Sequence, residues 1–311
     1  MSQFALFGAS GAIGKSLADA LRSRQIPYRV VGRSEAGLKE YASDPLAEAV
    51  IWNPDQPESV RSAAKGVDTL IYLVGVPYHQ FQLHPQLMRK TIAEATAEQV
   101  KRIVLVGTVY PYGRPQAEYV REDHPRNPHT FKGKMRKEQE DVLLEAHSRG
   151  DIQATILRLP DFYGPGVDKS FLHECFRAAK KGGTANMIGP IDTPHEFVFV
   201  PDVGPVLLDL AEKNEAYGKW WNFAGAAAIT QRQMAEQIFR AAGKPLKIRV
   251  AGKTMLRVLG LYNPLMRELV EMHYLMTAPV LTDDSALRNL LGNVKKTSYD
   301  EGIRLTLDAT Q

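Results

Sequence analysis

Three glycines follow one short apolar run near the start of the chain. Phe4-Ala5-Leu6-Phe7 leads into Gly8-Ala9-Ser10-Gly11-Ala12-Ile13-Gly14, and each glycine has a separate duty in a phosphate-binding turn. Gly8 allows a tight turn, Gly11 lets the main chain approach a pyrophosphate, and Gly14 lets a helix lie close against the strand. Ser10, Ala12 and Ile13 stand between them, where the free N–H groups of a helix N-terminus would meet the phosphates. A glycine pattern alone is weak. Here it sits between a strand-like run and an amphipathic segment with Ile13, Leu17 and Leu21 at i, i+4 and i+8, and it points to a dinucleotide.

The same stretch also reads as Ala9, four residues, then Gly14-Lys15-Ser16, a loose match to a nucleoside-triphosphate loop. Lys15 would then hold phosphate and Ser16 would hold Mg²⁺. That reading needs a later strand ending in Asp, but Thr69–Val74 runs into Gly75 and Ile103–Val106 into Gly107. Lys15 reads better as a solvated residue on the first helical turn. The ribose-reading position falls about 20 residues beyond the glycines, in Val30-Val31-Gly32-Arg33-Ser34, which has no carboxylate. An acid there would bind the 2′-hydroxyl of NAD. Arg33 instead offers a cationic fork to a 2′-phosphate, with Ser34 as a second donor, which favours NADP over NAD.

The elements that must position these groups alternate through the first half. Strand-like runs are Phe4–Phe7, Tyr28–Val31, Val50–Trp52, Thr69–Leu73, Ile103–Val106 and Ala154–Leu157, separated by amphipathic segments. Continuously apolar runs of this kind suit parallel strands covered on both faces. The expected fold is α/β, a doubly wound, mainly parallel Rossmann sheet of seven strands with a smaller C-terminal substrate lobe. Residues 1–165, with returning segments at about 195–225, form the dinucleotide domain; 166–194 and 226–311 form the lobe. The second half carries loops at Pro160–Gly166 and Gly182–Pro194, strand-like His195–Val200 and Trp220–Phe223, and then mainly helix. Thr230 with Gln233, and Ser298 with Glu301, read as capping boxes, and Gly243 before Pro245 closes a helix.

Composition excludes several classes. Of 311 residues 44% are hydrophobic and 24% charged, enough for a sizeable core, and the net charge of +4 is too mild to imply nucleic acid. The single cysteine, Cys175 in Phe171-Leu172-His173-Glu174-Cys175-Phe176, cannot form an internal disulfide and reads as buried filler. Met1-Ser2-Gln3-Phe4 has no signal-peptide character and no apolar run is long enough for a span, so a cytoplasmic protein without membrane association is expected. No metal is expected: His79, His84, His124 and His129 lack ligand spacing and read as loop histidines, with His79 able to touch substrate.

The chain resembles the extended short-chain dehydrogenase/reductase family, the group of nucleotide-sugar epimerases, dehydratases and related reductases. The resemblance spans nearly the whole chain. It rests on Gly8–Gly14, on Gly75, and on Gly107-Thr108-Val109-Tyr110-Pro111-Tyr112-Gly113. It continues through Arg158-Leu159-Pro160-Asp161-Phe162-Tyr163-Gly164-Pro165-Gly166, Phe199-Val200-Pro201-Asp202-Val203 and Trp221-Asn222-Phe223-Ala224-Gly225. It implies that Gly75 and Val76 line the adenosine side and that Thr108 hydrogen-bonds a substrate oxygen. It also implies that Leu159 and Pro160 border the nicotinamide. Asn53, Leu73, Val74, Val106 and Gly107 complete the expected cofactor set. Asp202 would cap a helix beginning near Val203, and Tyr112 and Tyr163 would be structural. A homodimer through Pro85–Glu98 and Lys132–His147 is family-typical.

One signature breaks. The family uses a Tyr with a Lys four residues on, the Tyr relaying a proton and the Lys lowering its pKa and holding the ribose. Alignment on Asn127-Pro128 and Glu140 puts Lys132 and Arg136 there, in Thr130-Phe131-Lys132-Gly133-Lys134-Met135-Arg136. Both flank Met135 on a helix and can face the cofactor crevice, where a phosphate, ribose or acidic substrate would offset two cations near a helix N-terminus; alternatively the helix starts earlier and both are merely exposed. Three mechanisms stay open: Lys132 as acid/base, with Lys132 also on the cofactor; Tyr110 or Tyr163 in its place; or no chemistry. The expected function is an atypical NADP(H)-dependent oxidoreductase or epimerase acting on a small polar substrate, with Thr108, Lys132 and Arg136 as catalytic residues. The alternative is a catalytically silent NADP(H)-sensing protein. Substrate identity would reside in the C-terminal lobe, where Met255–Met276 offers apolar and aromatic lining.

Overall fold

The computed structural model describes residues 3–168, 170 and 172–310; Phe171 of the Cys175 pattern lies outside them. The expected apolar runs become strands of one parallel sheet. They are β1 (Phe4–Phe7), β2 (Tyr28–Gly32), β3 (Ala47–Ile51), β4 (Thr69–Tyr72), β5 (Arg102–Thr108) and β6 (Gln153–Leu159). Parallel neighbours cannot be joined by tight turns, so helices carry the chain across: α1 (Ala12–Ser23), α2 (Glu35–Leu38), α3 (Pro57–Ala64), α4 (Leu83–Ala97) and α5 (Phe131–Ser148).

Beyond β6 come β7 (Asp161–Tyr163), α6 (His173–Lys181), β8 (Ala185–Ile188), β9 (Pro194–His195), β10 (Phe197–Phe199) and α7 (Val200–Glu212). The seventh sheet strand, β11 (Trp220–Asn222), follows. The remainder is β12 (Ile229–Thr230), α8 (Gln231–Ala241), β13 (Ile248–Ala251), α9 (Lys253–Leu259), α10 (Pro264–Met272), α11 (Tyr274–Thr277), α12 (Ser285–Leu291) and α13 (Tyr299–Ala309).

The sheet order is β11-β6-β5-β4-β1-β2-β3, so the strand order reverses on either side of β1. Phe7 pairs with both Val31 and Tyr72, and Thr108 with Leu159. Leu17 of α1 and Leu207 of α7 belong to the apolar cluster on one face; Val60 of α3, Met88 of α4 and Leu143 of α5 belong to that on the other. Burial on both faces is why the inner strands read as unbroken apolar runs. The third cluster, around Phe176, Phe239 and Ile303, joins α6, α8 and α13. Leu287 of α12, although in the segment expected to form the lobe, packs into the α1–α7 cluster.

Several local expectations change. β5 and β6 run past their apolar cores to include Gly107, Thr108 and Arg158, because the parallel ladder between them continues. The third strand lies at 47–51 rather than 50–52: it is a half-exposed edge strand with no continuous apolar signal, and Trp52 packs edge-on against Phe7. The two Pro/Gly loops contain β7 and β8. His195–Val200 splits into β9, β10 and the first residue of α7, Glu196 being turned to accept hydrogen bonds from the Thr282 N–H and hydroxyl.

Asp202 caps no helix start. α7 begins at Val200, and the Asp202 carboxylate in its first turn accepts from the Thr297 N–H and hydroxyl, pinning the chain before α13. Thr230 and Gln233 form a full capping box, whereas Ser298 makes only the side-chain half of one.

Ser16 shows why the triphosphate-loop reading fails. Its hydroxyl donates to Pro201 O at 3.1 Å and accepts the Gly204 N–H at 3.0 Å, holding α1 against α7. A Cβ at Gly204 would fall 2.2 Å from the Ser16 carbonyl oxygen, so glycine is required for this approach. Lys15 points outward to Glu40 at 2.9 Å. Burial pushes the Cys175 thiol up to about 12, and it is packing.

Candidate functional site

All seven strands run parallel, so their carboxyl ends share one edge, and the crevice opens where the strand order reverses. The glycine loop occupies that point. Gly8 adopts φ +94°, donates its N–H to Val31 O, and has no room for a side chain against Leu73. A Cβ on Gly14 would lie 2.4 Å from Ala9 O, which fixes the approach of α1 to the loop. Gly11 caps α1 without a side-chain bond, and the first turn of α1 holds no acid. Its own Cβ position meets only Gly8 O at 3.6 Å, and that of Gly75 meets nothing. The loop is therefore closed on the sheet side and open at Gly11, with N–H groups and helix dipole available to an anion. These residues fit a dinucleotide pyrophosphate.

Arg33 and Ser34 stand exposed at the end of β2, and Arg33 forms no ion pair among the described residues. The Ser34 hydroxyl accepts the Gly37 N–H, which leaves its own proton free to donate, and Ser10 lies beside the same turn. Asn53 is committed locally, its side-chain oxygen accepting the Asp55 N–H. Leu73 to Val76 follow β4, Val106, Gly107 and Thr108 end β5, and Leu159 and Pro160 close β6, so these lie along the same edge. Thr108 is half-buried, and its hydroxyl accepts a 3.3 Å bond from the Tyr110 N–H.

α5 begins at Phe131, capped by Thr130, and neither cation expected there is exposed. Lys132, 1% exposed, donates to Glu268 at 2.5 Å and Glu271 at 2.7 Å, both on α10. Glu271 also accepts the Lys132 main-chain N–H at 3.1 Å. The charge that offsets a cation at this helix start is thus built into the chain, through carboxylates three residues apart on one face of α10. The Tyr78 and Phe81 rings lie 5.7 and 5.9 Å from the ammonium.

Arg136 turns toward the sheet instead. It donates to Val106 O at 2.9 Å and to His84 Nδ1 at 3.2 Å, and no carboxylate lies in ion-pair range among the described residues. His84 sits in the first turn of α4 rather than in a loop; Pro85 beside it is tolerated because a helix start needs no N–H there. Burial first, and then the Arg136 charge, push the His84 imidazole down to about 2. It is neutral, with Nδ1 accepting.

Tyr110, a candidate from the sequence, gains a partner the sequence did not show, and two further groups at this edge were missed altogether. Tyr78 and Tyr110 bring their hydroxyls to 3.1 Å, and burial raises both phenols. His195 Nε2 and Asp161 meet at 2.6 Å, joining β9 to β7. Glu268 and Glu271 carried one available signal, their i, i+3 spacing beside Leu269 and Met272 on a short amphipathic helix. Tyr163, in contrast, is packed among Phe176, Phe199 and Tyr299 in the third apolar cluster. Met255–Met276 divides likewise: Leu269, Met272 and Tyr274–Met276 face inward, whereas Met255 and Tyr262 face out.

A Rossmann crevice with a glycine loop at the reversal point of its parallel sheet is the class this fold and edge define. A family model described as NAD(P)H-binding matches residues 8–169, and the chain belongs to that family. Among curated proteins it is 24% identical over 267 residues to a dTDP-6-deoxy-L-talose 4-dehydrogenase (NAD(P)(+)) from Kitasatospora kifunensis, covering 79% of this chain and 81% of that enzyme. Among solved structures it superposes on UDP-glucuronic acid 4-epimerase from Bacillus cereus in complex with UDP-glucuronic acid and NAD, with a TM-score of 0.83, 13% identity and 98% of each chain covered. It also superposes on dTDP-glucose 4,6-dehydratase from Bacillus anthracis str. Ames in complex with NAD, with a TM-score of 0.82, 13% identity and coverage of 98% and 95%. At such identities the superpositions establish the fold.

Proposed function

We propose that the protein is an NADP(H)-preferring oxidoreductase or epimerase acting on a small polar substrate of the sugar-nucleotide class. The observation that carries the reading is the glycine loop, closed by steric necessity at Gly8 and Gly14 and open at Gly11, at the reversal point of the sheet. The named relatives, which handle dTDP- and UDP-linked sugars, support the substrate class. When bound, the nicotinamide would supply hydride transfer. The residues to hold the cofactor are Gly8–Gly14, Arg33 and Ser34, Leu73–Val76, and Leu159 with Pro160.

Thr108 is assigned to hydrogen-bond the substrate oxygen. Lys132 would give one ammonium proton to that oxygen and regain it from solvent by way of the part-exposed Glu268 and Glu271, and Arg136 holds the end of β5 in place through Val106 O. Tyr110 is the tyrosine placed to share this work, since Tyr163 is enclosed by the lobe. The test is a paired titration with NADPH and NADH, repeated on Arg33→Asp, followed by turnover assays on dTDP- and UDP-sugars. NADPH should bind at least about tenfold more tightly than NADH, and the variant should reverse the order. An unchanged ratio removes Arg33 from the 2′-phosphate. Cofactor binding with no turnover on any sugar nucleotide would leave a sensing role.

A further inference from the structure

The side of α10 that carries Glu268 and Glu271 faces Lys132; its outer side and α9 form a different kind of surface. Met255, Val258, Leu259, Leu261, Tyr262 and Leu265 are all exposed, with Leu261 at 76% and Tyr262 at 88%. Leu246 and Val250, just before them, are exposed as well, leaving only Ile51, Tyr119 and Phe131 as exposed large hydrophobics elsewhere among the described residues. α9 buries a single residue, Leu256, and packs against α10. Scattered apolar side chains on a surface are ordinary, but so many on one hairpin mark an interaction surface.

The charge of the same stretch says what it meets. Between Glu236 and Glu268 the chain has seven Lys or Arg and no Asp or Glu, so this segment carries +7 in a protein of net charge +4, and the rest is net negative. None of the seven forms an ion pair with a carboxylate among the described residues. Exposed leucines and a tyrosine at the tip, flanked by unpaired Lys253, Arg257 and Arg267, are the composition of a segment that lies in a lipid interface. A second copy would have to bring the same unpaired cations against one another, which opposes self-association through this face.

We infer that the α9–α10 hairpin docks the protein peripherally on an anionic membrane surface, with Leu261 and Tyr262 entering the headgroup layer and Lys253, Arg257 and Arg267 meeting lipid phosphates. No described helix is long and apolar enough to cross a membrane, and none is required to. The inference stands independently of the enzymatic reading.

The experiment is flotation of the full chain with vesicles of phosphatidylcholine alone and of phosphatidylcholine containing about 30 mol% phosphatidylserine. The expected result is binding to the anionic vesicles only, weakened by salt. Leu261→Ser with Tyr262→Ser, and separately Lys253→Glu with Arg257→Glu, should each reduce it by roughly tenfold or more. Both pairs are exposed, and unchanged thermal melting will show that the variants fold. Equal binding to both vesicle types, no binding to either, or wild-type binding by the variants overturns the proposal. So does a wild-type dimer in light scattering that Leu261→Ser with Tyr262→Ser converts to monomer, which would assign the surface to self-association.

Discussion

α5 carries two buried ion pairs, one at its start and one near its middle, and they are built differently. Near its middle, Glu140 receives Arg158 through two hydrogen bonds, one of 3.0 Å from Nε, and Arg126 at 3.1 Å; Arg158 is fully buried and sandwiched between the Tyr112 and Trp220 rings. All these partners belong to the sheet, to α5, or to the loop leading into it. At the helix start, Lys132 is equally buried, but its two carboxylates arrive from α10 and remain about a quarter exposed, at 25% and 27%. The first arrangement is enclosed and serves the fold. The second joins two parts of the molecule across the candidate site, and water or a ligand can reach its acidic half.

The difference should be largest in stability. Removing Glu140 leaves Arg158 uncompensated where no water reaches, so Glu140→Ala should cost about 3–5 kcal/mol in denaturant unfolding. A loss below about 1 kcal/mol would mean the enclosed pair is not what fixes α5 to β6. At the helix start, Glu268→Gln with Glu271→Gln keeps hydrogen-bond acceptors and allows hydration of Lys132, and should cost about 1–3 kcal/mol. Lys132→Met in that background removes the stranded cation and should recover most of the loss, while turnover with NADPH stays abolished and cofactor affinity holds. Full turnover in Lys132→Met would make the α10 contact structural only, and erase the contrast between the two pairs.

The contrast also explains what could be read in the sequence. The glycine loop, the crevice and the strand positions other than that of the half-exposed edge strand β3 are set by neighbours along the chain, since a parallel sheet with covered faces demands short apolar runs separated by amphipathic helices. Thr230 and Gln233 were legible for the same reason. Lys132 was visible as an anomaly, a cation where the family has tyrosine, but its partners lie 136 and 139 residues away in a segment without a strong pattern. The i, i+3 spacing of Glu268 and Glu271 puts them on one face of α10, but nothing local says that this face turns inward while Leu261 and Tyr262, a few residues earlier, turn out. That division is decided by the packing of α10 against Tyr78–Gln80 and its ion pairs to Lys132, a tertiary fact. Glu140 and Arg158 posed the opposite problem: charged residues amid an apolar strand and a helix look like surface until the two are brought together.

His84 gives the smallest and most selective test of the site end of α5. Its imidazole is almost fully buried against Phe81 and accepts from Arg136, and its folded value of about 2 lies far below the unfolded value near 6.5. Between those values the unfolded chain holds a proton that the folded chain does not. The contribution is therefore absent above about pH 6.5 and becomes a loss of stability as pH falls below it, by up to ~1.4 kcal/mol per pH unit. His84→Asn keeps an acceptor for Arg136 and removes the titration. The wild type should melt progressively lower than at neutrality as the pH is taken from 7 to 5, and the variant should show a shallower fall over the same range. Parallel curves would mean that His84 charges freely in the folded protein, and that Arg136 is not held against a neutral ring. Any shift that survives in His84→Asn must come from groups other than the Arg136–His84 contact.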